Sequence, residues 1–132
     1  MLELNQEASF SKTITEADVY SYAGITGDFN EVHVNRVAAS KTQFGQPIAH
    51  GMLVAGLIST VLGTKLPGAG TIYMEQDVKF LKPVFYGDTV TATVIVSEII
   101  NEQKGIYRLN TEITNQNDEL VVDGYAVVMY RG

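Results

Sequence analysis

Residues 26–33 read TGDFNEVH, and from Asp28 to His33 they place two carboxylates, an amide and one of only two histidines in six positions. Aspartate is ionised at neutral pH, and histidine is the side chain most easily moved across neutrality. Asp28 and His33 are five residues apart, so they do not share a helix face, but in an irregular segment both can reach one point. A carboxylate and an imidazole that share one water can take a proton from it and deliver a proton nearby. Asn30 would hold that geometry with its amide. The competing reading is structural: Asp28 caps the next turn, Asn30 fills a turn position and His33 is a partly buried spacer.

His50 and Gly51 form a second candidate. They precede an apolar helical stretch, so the Gly51 N–H lies among the unpaired donors of a helix start. Such donors suit charge developing on a carbonyl oxygen. Gly51 would otherwise serve only the turn, and His50 would lie at the surface or behind the site. Two histidines without cysteine provide few metal ligands, nothing has zinc spacing, and no metal is expected. Ser59 is a hydroxyl within the apolar helix and lacks the strained turn of a nucleophile. LPGAGT is glycine-rich but has neither the lysine nor the spacing of a phosphate loop. The tyrosines of the later strands read as core or interface, and Lys65, Lys79 and Lys82 as solvated surface.

Several elements must position these groups. ASFSKTI, residues 8–14, alternates as a first strand. Thr15 then N-caps a helix, with Asp18 completing the cap, Val19, Tyr22 and Ala23 facing inward, and Gly24 or Gly27 ending it. The octet follows as an irregular segment, and NRVAAS forms a short helical turn. QFGQPIAHG is irregular, because Gly45, Pro47 and Gly51 break any period. Met52–Leu62 is the most helical and apolar stretch. Its small residues Ala55, Gly56, Ser59 and Gly63 lie near one side, where a backbone or a ligand can come close. From Thr71 onward four long strands alternate with turns, the last three joined through NEQKG and NQNDE. The expected architecture is α+β: a long central helix packed against a curved antiparallel sheet, as one domain over residues 1–132.

Composition limits the partners. A chain of 132 residues can bury a real core. Its net charge of −6 disfavours nucleic acid and acidic membrane, and its longest apolar run is too short to span a bilayer. Cysteine is absent, so disulfide and thiolate chemistry are excluded. MLELNQEASF has no basic start followed by an apolar run, so no secretory signal is expected, and the expected location is the cytoplasm.

The motifs also carry a resemblance. YAGITGDFNEVHVN, then FGQPIAHGMLVAGLIS, then LPGAGTIYMEQDVKFLKPVFYGDTV, resemble the MaoC-like, R-specific enoyl-CoA hydratases over nearly the whole chain. Gly27, Asp28, Asn30, Val32 and His33 fit that family's Gly-Asp-x-Asn-Pro-hydrophobic-His pattern, while Glu31 stands where proline is usual and Asn35 where an acid is common. The resemblance implies a hotdog fold and reversible addition of water to a trans-2-enoyl-CoA, giving an R-3-hydroxyacyl-CoA. It implies Asp28 and His33 as catalytic residues, Asn30 and Ser59 as supporting ones, Gly51 as the oxyanion-hole amide and Leu62 where acyl length is limited. It also implies a homodimer with the site at or near the subunit interface, acyl-CoA as substrate and no cofactor. Asp28 is favoured as base and His33 as proton donor, although the residues by themselves allow either order.

Three alternatives stand beside this. Hotdog thioesterases and acyl-carrier-protein dehydratases often carry a catalytic acid on the central helix, and Met52–Leu62 has none. A non-catalytic acyl-CoA binding module would not need a proton-handling pair.

Overall fold

In the computed structural model, which describes all of Met1–Gly132, five strands form one antiparallel sheet around a long helix. The chain runs β1 (Glu7–Thr13), α1 (Glu16–Thr26), α2 (Glu31–Val34), α3 (Arg36–Ser40), α4 (Gly51–Thr64), β2 (Ile72–Phe80), β3 (Thr89–Asn101), β4 (Ile106–Thr114) and β5 (Leu120–Met129). The spatial order is β1-β3-β4-β5-β2. The β3–β4 and β4–β5 pairs are the expected hairpins. β2 joins β5 and leaves its other edge unpaired, and β1 closes the opposite side against β3.

α4 packs against the inner face of the sheet, chiefly on β3. Val54, Ile58, Val61 and Leu62 of α4 meet Val90, Ala92, Val94 and Val96 of β3 in one apolar cluster. The alternation along β3 from Thr89 to Val96 accounts for this: every second residue is buried. α4 begins at Gly51 and ends at Thr64, slightly longer than the apolar run alone suggests.

The cap at Thr15 forms as expected. Its hydroxyl accepts from the Asp18 N–H at 3.1 Å, and the Asp18 carboxylate accepts from the Thr15 N–H at 2.9 Å. Gly27 ends α1 in the left-handed region at φ 83°, where a side chain would be strained. Val19 and Ala23 are fully buried, whereas Tyr22 is only half-buried and lies against the His50 ring.

One expectation needs correction. The octet is not irregular throughout, because its second half forms α2. Asn30 caps that helix, its side-chain oxygen accepting from Val32 N–H at 3.2 Å. Asn35 then ends α2 and caps α3, accepting from Ala38 N–H at 2.9 Å. These caps explain both departures from the family pattern. Glu31 is the first helical residue, a position that suits proline but equally suits an acid at the positive end of a helix. Position 35 needs a capping oxygen, which asparagine supplies as well as aspartate.

Candidate active site

The chain from Ile48 to Gly51 brings the two candidate motifs together. Ile48 N–H donates to the Val32 carbonyl at 3.1 Å, and Ala49 N–H donates to the Val84 carbonyl at 2.7 Å. This short stretch is therefore sewn between α2 and the turn before β3. Tyr86, in that turn, donates its hydroxyl to the His33 carbonyl. The result is a cavity of about 440 Å³ lined by Asp28, His33, His50, Gly51 and Val54, with Phe44, Phe80 and Pro83 among its apolar walls.

His33 is buried, and its Nδ1 lies 2.7 Å from the Ile48 carbonyl. A carbonyl can only accept, so Nδ1 carries the proton and the neutral ring offers Nε2 as a bare acceptor. Burial holds the imidazole below its ordinary value of 6.5; the Ile48 bond and the Asp28 charge oppose this, and His50 adds to it. His33 therefore stays a neutral acceptor to lower pH than a free histidine would.

Asp28 is exposed at the cavity edge. Its carboxylate accepts the Asn30 N–H at 3.2 Å, and its backbone carbonyl faces His50 Nε2 at 2.9 Å. One carboxylate oxygen of Asp28 and one ring nitrogen of each histidine lie within 4.8 Å of one another. Acceptors within about this distance of each other can each receive one hydrogen of a single water. Held that way, the water points a lone pair away from both.

Sequence spacing gave no hint of this three-residue cluster, which also offers the donor types of a metal site. Its geometry suits a water better than an ion. The His33 and His50 rings stack at 3.9 Å between centroids with 29° between planes. Each ring also has one nitrogen committed to a backbone carbonyl, His33 Nδ1 to Ile48 and His50 Nε2 to Asp28.

Gly51 is the first residue of α4, and His50 is its N-cap residue. N-caps are usually Ser, Thr, Asp or Asn, whose side chains satisfy the first free N–H groups. The His50 side chain makes no such bond, and the first turn of α4 has no acid. The donors of the helix start are therefore unspent on the protein's own side chains, at the cavity wall. Gly51 also leaves room for Phe80: a Cβ here would lie 2.8 Å from its ring.

The structure places the remaining predicted residues elsewhere. Asn30 caps α2 and supports the loop from behind. Ser59 sits roughly 80° around the axis of α4 from Gly51. It is exposed in a separate groove with Met52, Gly56, Tyr73, Met74 and Gln76. Leu62 shares the Gly51 side of the helix but lies about 16 Å along it. It is 1% exposed in the core, so within one chain it does not line the cavity. Tyr86, read in the sequence with the other tyrosines as core or interface, instead donates to the His33 carbonyl beside the site.

Comparison with known proteins agrees with this geometry. Residues 2–118 match the MaoC like domain. An (R)-specific enoyl-CoA hydratase from Rhodospirillum rubrum is 49% identical, covering 94% of this chain and 85% of that one. Another from Aeromonas caviae is 46% identical, covering 96% of this chain and 94% of that one. The solved structure of the (R)-hydratase from A. caviae involved in PHA biosynthesis superposes with a TM-score of 0.94 at 45% identity, covering 98% of each chain. The sheet wrapped on α4 is thus the hotdog fold, and the chain belongs to the MaoC-like domain family, among its (R)-specific enoyl-CoA hydratases.

Proposed function

We propose that the protein adds water reversibly to short trans-2-enoyl-CoA thioesters, giving R-3-hydroxyacyl-CoA, with Asp28, His33 and Gly51 at the reacting atoms. The observation that carries the reading is the pairing of Asp28 and His33 at water-bridging distance in the cavity that also holds the start of α4.

The chemistry follows from that pairing. A thioester carbonyl conjugated to a double bond makes C3 electrophilic, and charge gathers on the carbonyl oxygen as a nucleophile arrives. The Gly51 N–H, unpaired at a helix start, supports that charge. The water held between Asp28 and His33 adds its oxygen to C3. His33 Nε2 accepts the water proton and passes it to C2, while Asp28 orients the water and stabilises the imidazolium. One proton leaves oxygen and one arrives at carbon from the same side, which gives syn addition. The Nδ1–Ile48 bond supports His33 as the acceptor, reversing the order favoured by sequence alone. The thioester supplies the activation, so the scheme needs no cofactor.

We also propose a homodimer. β2 is an edge strand, and Ile72, Tyr73 and Met74 on it are exposed beside exposed Met52. An apolar, unpaired edge of this kind calls for a cover, and a second copy of β2 supplies one. In that assembly the groove holding Ser59 is covered, and any part Ser59 plays comes through the partner. Leu62 packs in the apolar core with Val54 and Ile58, and a short acyl group needs no space beyond them. No helix is long and apolar enough to cross a membrane. A cytoplasmic location fits the reducing environment that a cysteine-free chain tolerates.

Crotonyl-CoA tests the reaction. Loss of enoyl absorbance without release of free thiol, with an R-configured product, is the expected result. Thiol release would transfer the protein to the thioesterases, and no change in either signal would leave a binding module.

A further inference from the structure

His50 has no part in the proton transfer just described, yet it is among the most enclosed polar side chains of the molecule, at 2% exposure. Three contacts define it. Its Nε2 lies 2.9 Å from the backbone carbonyl of Asp28. Its ring stacks on that of His33 at 3.9 Å. It also meets the Tyr22 ring at 4.8 Å between centroids, tilted by 57°. The remaining nitrogen, Nδ1, is buried with no hydrogen-bond partner.

That unpaired nitrogen is informative. A carbonyl acceptor requires Nε2 to carry the proton, so the neutral ring presents a bare Nδ1 to its surroundings. Burying an unsatisfied nitrogen is unfavourable. An apolar ring of similar size would fill the same space between Tyr22 and His33 without that cost. What only the imidazole adds is the Nε2–H on the Asp28 carbonyl. As the N-cap residue of α4, His50 would ordinarily bond back to its own helix. Its side chain reaches instead to the residue carrying the catalytic carboxylate, 22 positions earlier.

We infer that His50 is a positioning residue for the hydration reaction, one hydrogen bond fixing Asp28 and one stacked ring fixing His33. The two catalytic groups come from different segments, the α1–α2 loop and α2 itself, and His50 is one side chain in contact with both. It thereby sets the separation across which a single water must fit. The stacked His50 ring at 3.9 Å also opposes protonation of His33. The titratable groups facing this pair are the Asp28 carboxylate, the Tyr22 hydroxyl from α1 and the Tyr86 hydroxyl on the His33 carbonyl.

The inference rests on the proposed hydratase reading, and two variants separate its parts. His50→Phe keeps a stacked ring and loses the donor; His50→Gln keeps an N–H donor and loses the ring. With crotonyl-CoA, the Phe variant should lose about 10²-fold in kcat with little change in KM, because a misplaced reacting group costs roughly that much. The Gln variant should recover part of the loss. In both, the His33 imidazole, followed by NMR, should titrate at higher pH than in the unaltered protein. Unchanged kcat together with an unchanged His33 titration would overturn the inference. So would a loss of kcat that merely follows the loss of folded protein on thermal unfolding. If the unaltered protein does not hydrate crotonyl-CoA, the reaction assignment fails, and the NMR titrations still report whether His50 governs His33.

Discussion

Two concave regions lie along α4, and they differ in what their walls can do. The cavity at its N-terminus gathers Asp28, His33 and His50 beside unspent helix donors. The groove along its small-residue side, walled by β2, holds Ser59, Gly56 and Met74 with Tyr73, Glu75 and Gln76, and has no histidine. Both are similar in size, about 440 and 420 Å³. Volume does not distinguish them; polar convergence does. In the first, each histidine has one nitrogen against a backbone carbonyl, so the rings are fixed in tautomer and direction. In the second, smallness of side chains gives access, and the apolar rim suits a partner surface better than a reacting molecule.

The hardest blow to this contrast falls on Asp28 and His33. Asp28→Asn and His33→Gln should each lower kcat by about 10²–10⁴, the span expected of a lost general acid or base, with thermal unfolding almost unchanged in Asp28→Asn. A fully active Asp28→Asn protein would remove the cavity's claim. Next comes Gly51. Proline is tolerated at the first helical position, and His50 at φ −59°, ψ 132° already has the extended backbone that precedes a proline. Gly51→Ala and Gly51→Pro both crowd Phe80, but only proline removes the N–H. The proline variant should fall below the alanine variant by about 10²–10³ in kcat, the effect of one oxyanion donor; equal rates would exclude that N–H from the reaction.

Smaller effects sharpen the other side of the comparison. Met74→Lys places a charge on the open β2 edge and should shift the protein toward monomer in sedimentation, while Ser59→Ala should cost far less activity than Asp28→Asn. A Ser59→Ala loss as large as that of Asp28→Asn would show that the groove joins the reacting site in the dimer. For pH, His33 in the folded chain binds its proton below 6.5, whereas the unfolded chain binds it near 6.5. The His33 contribution to stability is therefore complete above 6.5 and is lost as pH falls below it through the folded value. The acid limb of kcat/KM for hydration should likewise lie below 6.5, and a limb above it would contradict the neutral acceptor. The slightest change is Glu31→Pro, which removes no hydrogen bond in the structure and should raise stability by about 0.4–1 kcal/mol in a denaturant melt.

Local signals in the sequence carried over well. Thr15 with Asp18, Gly27 at the end of α1, and the alternation of β3 each depend on neighbours a few residues away. Periodicity also separated the two sides of α4, which is why Ser59 fell away from Gly51. What periodicity does not say is what lies opposite. Leu62 is on the Gly51 side but under core residues, because β3 arrives there from 30 positions further on. His50 looked peripheral because its partners, Asp28 and His33, are 22 and 17 residues earlier, brought near by the Ile48–Val32, His33–Ile48 and His50–Asp28 bonds. The octet's helical half was hidden by its length, four residues being too few for a pattern.

That shortness has a consequence for order and timing. An isolated helix of four residues does not persist in water. α2 exists because Asn30 caps it, Ile48 and Tyr86 hold its backbone, and the His33 ring is bonded to Ile48. All but the first of these come from segments that must already be in place. His33 is thus mounted on a part of the domain expected to form late and to open early. On gradual denaturation, turnover should fade, and the amides of α2 should exchange, while the β3–β4–β5 sheet is still intact.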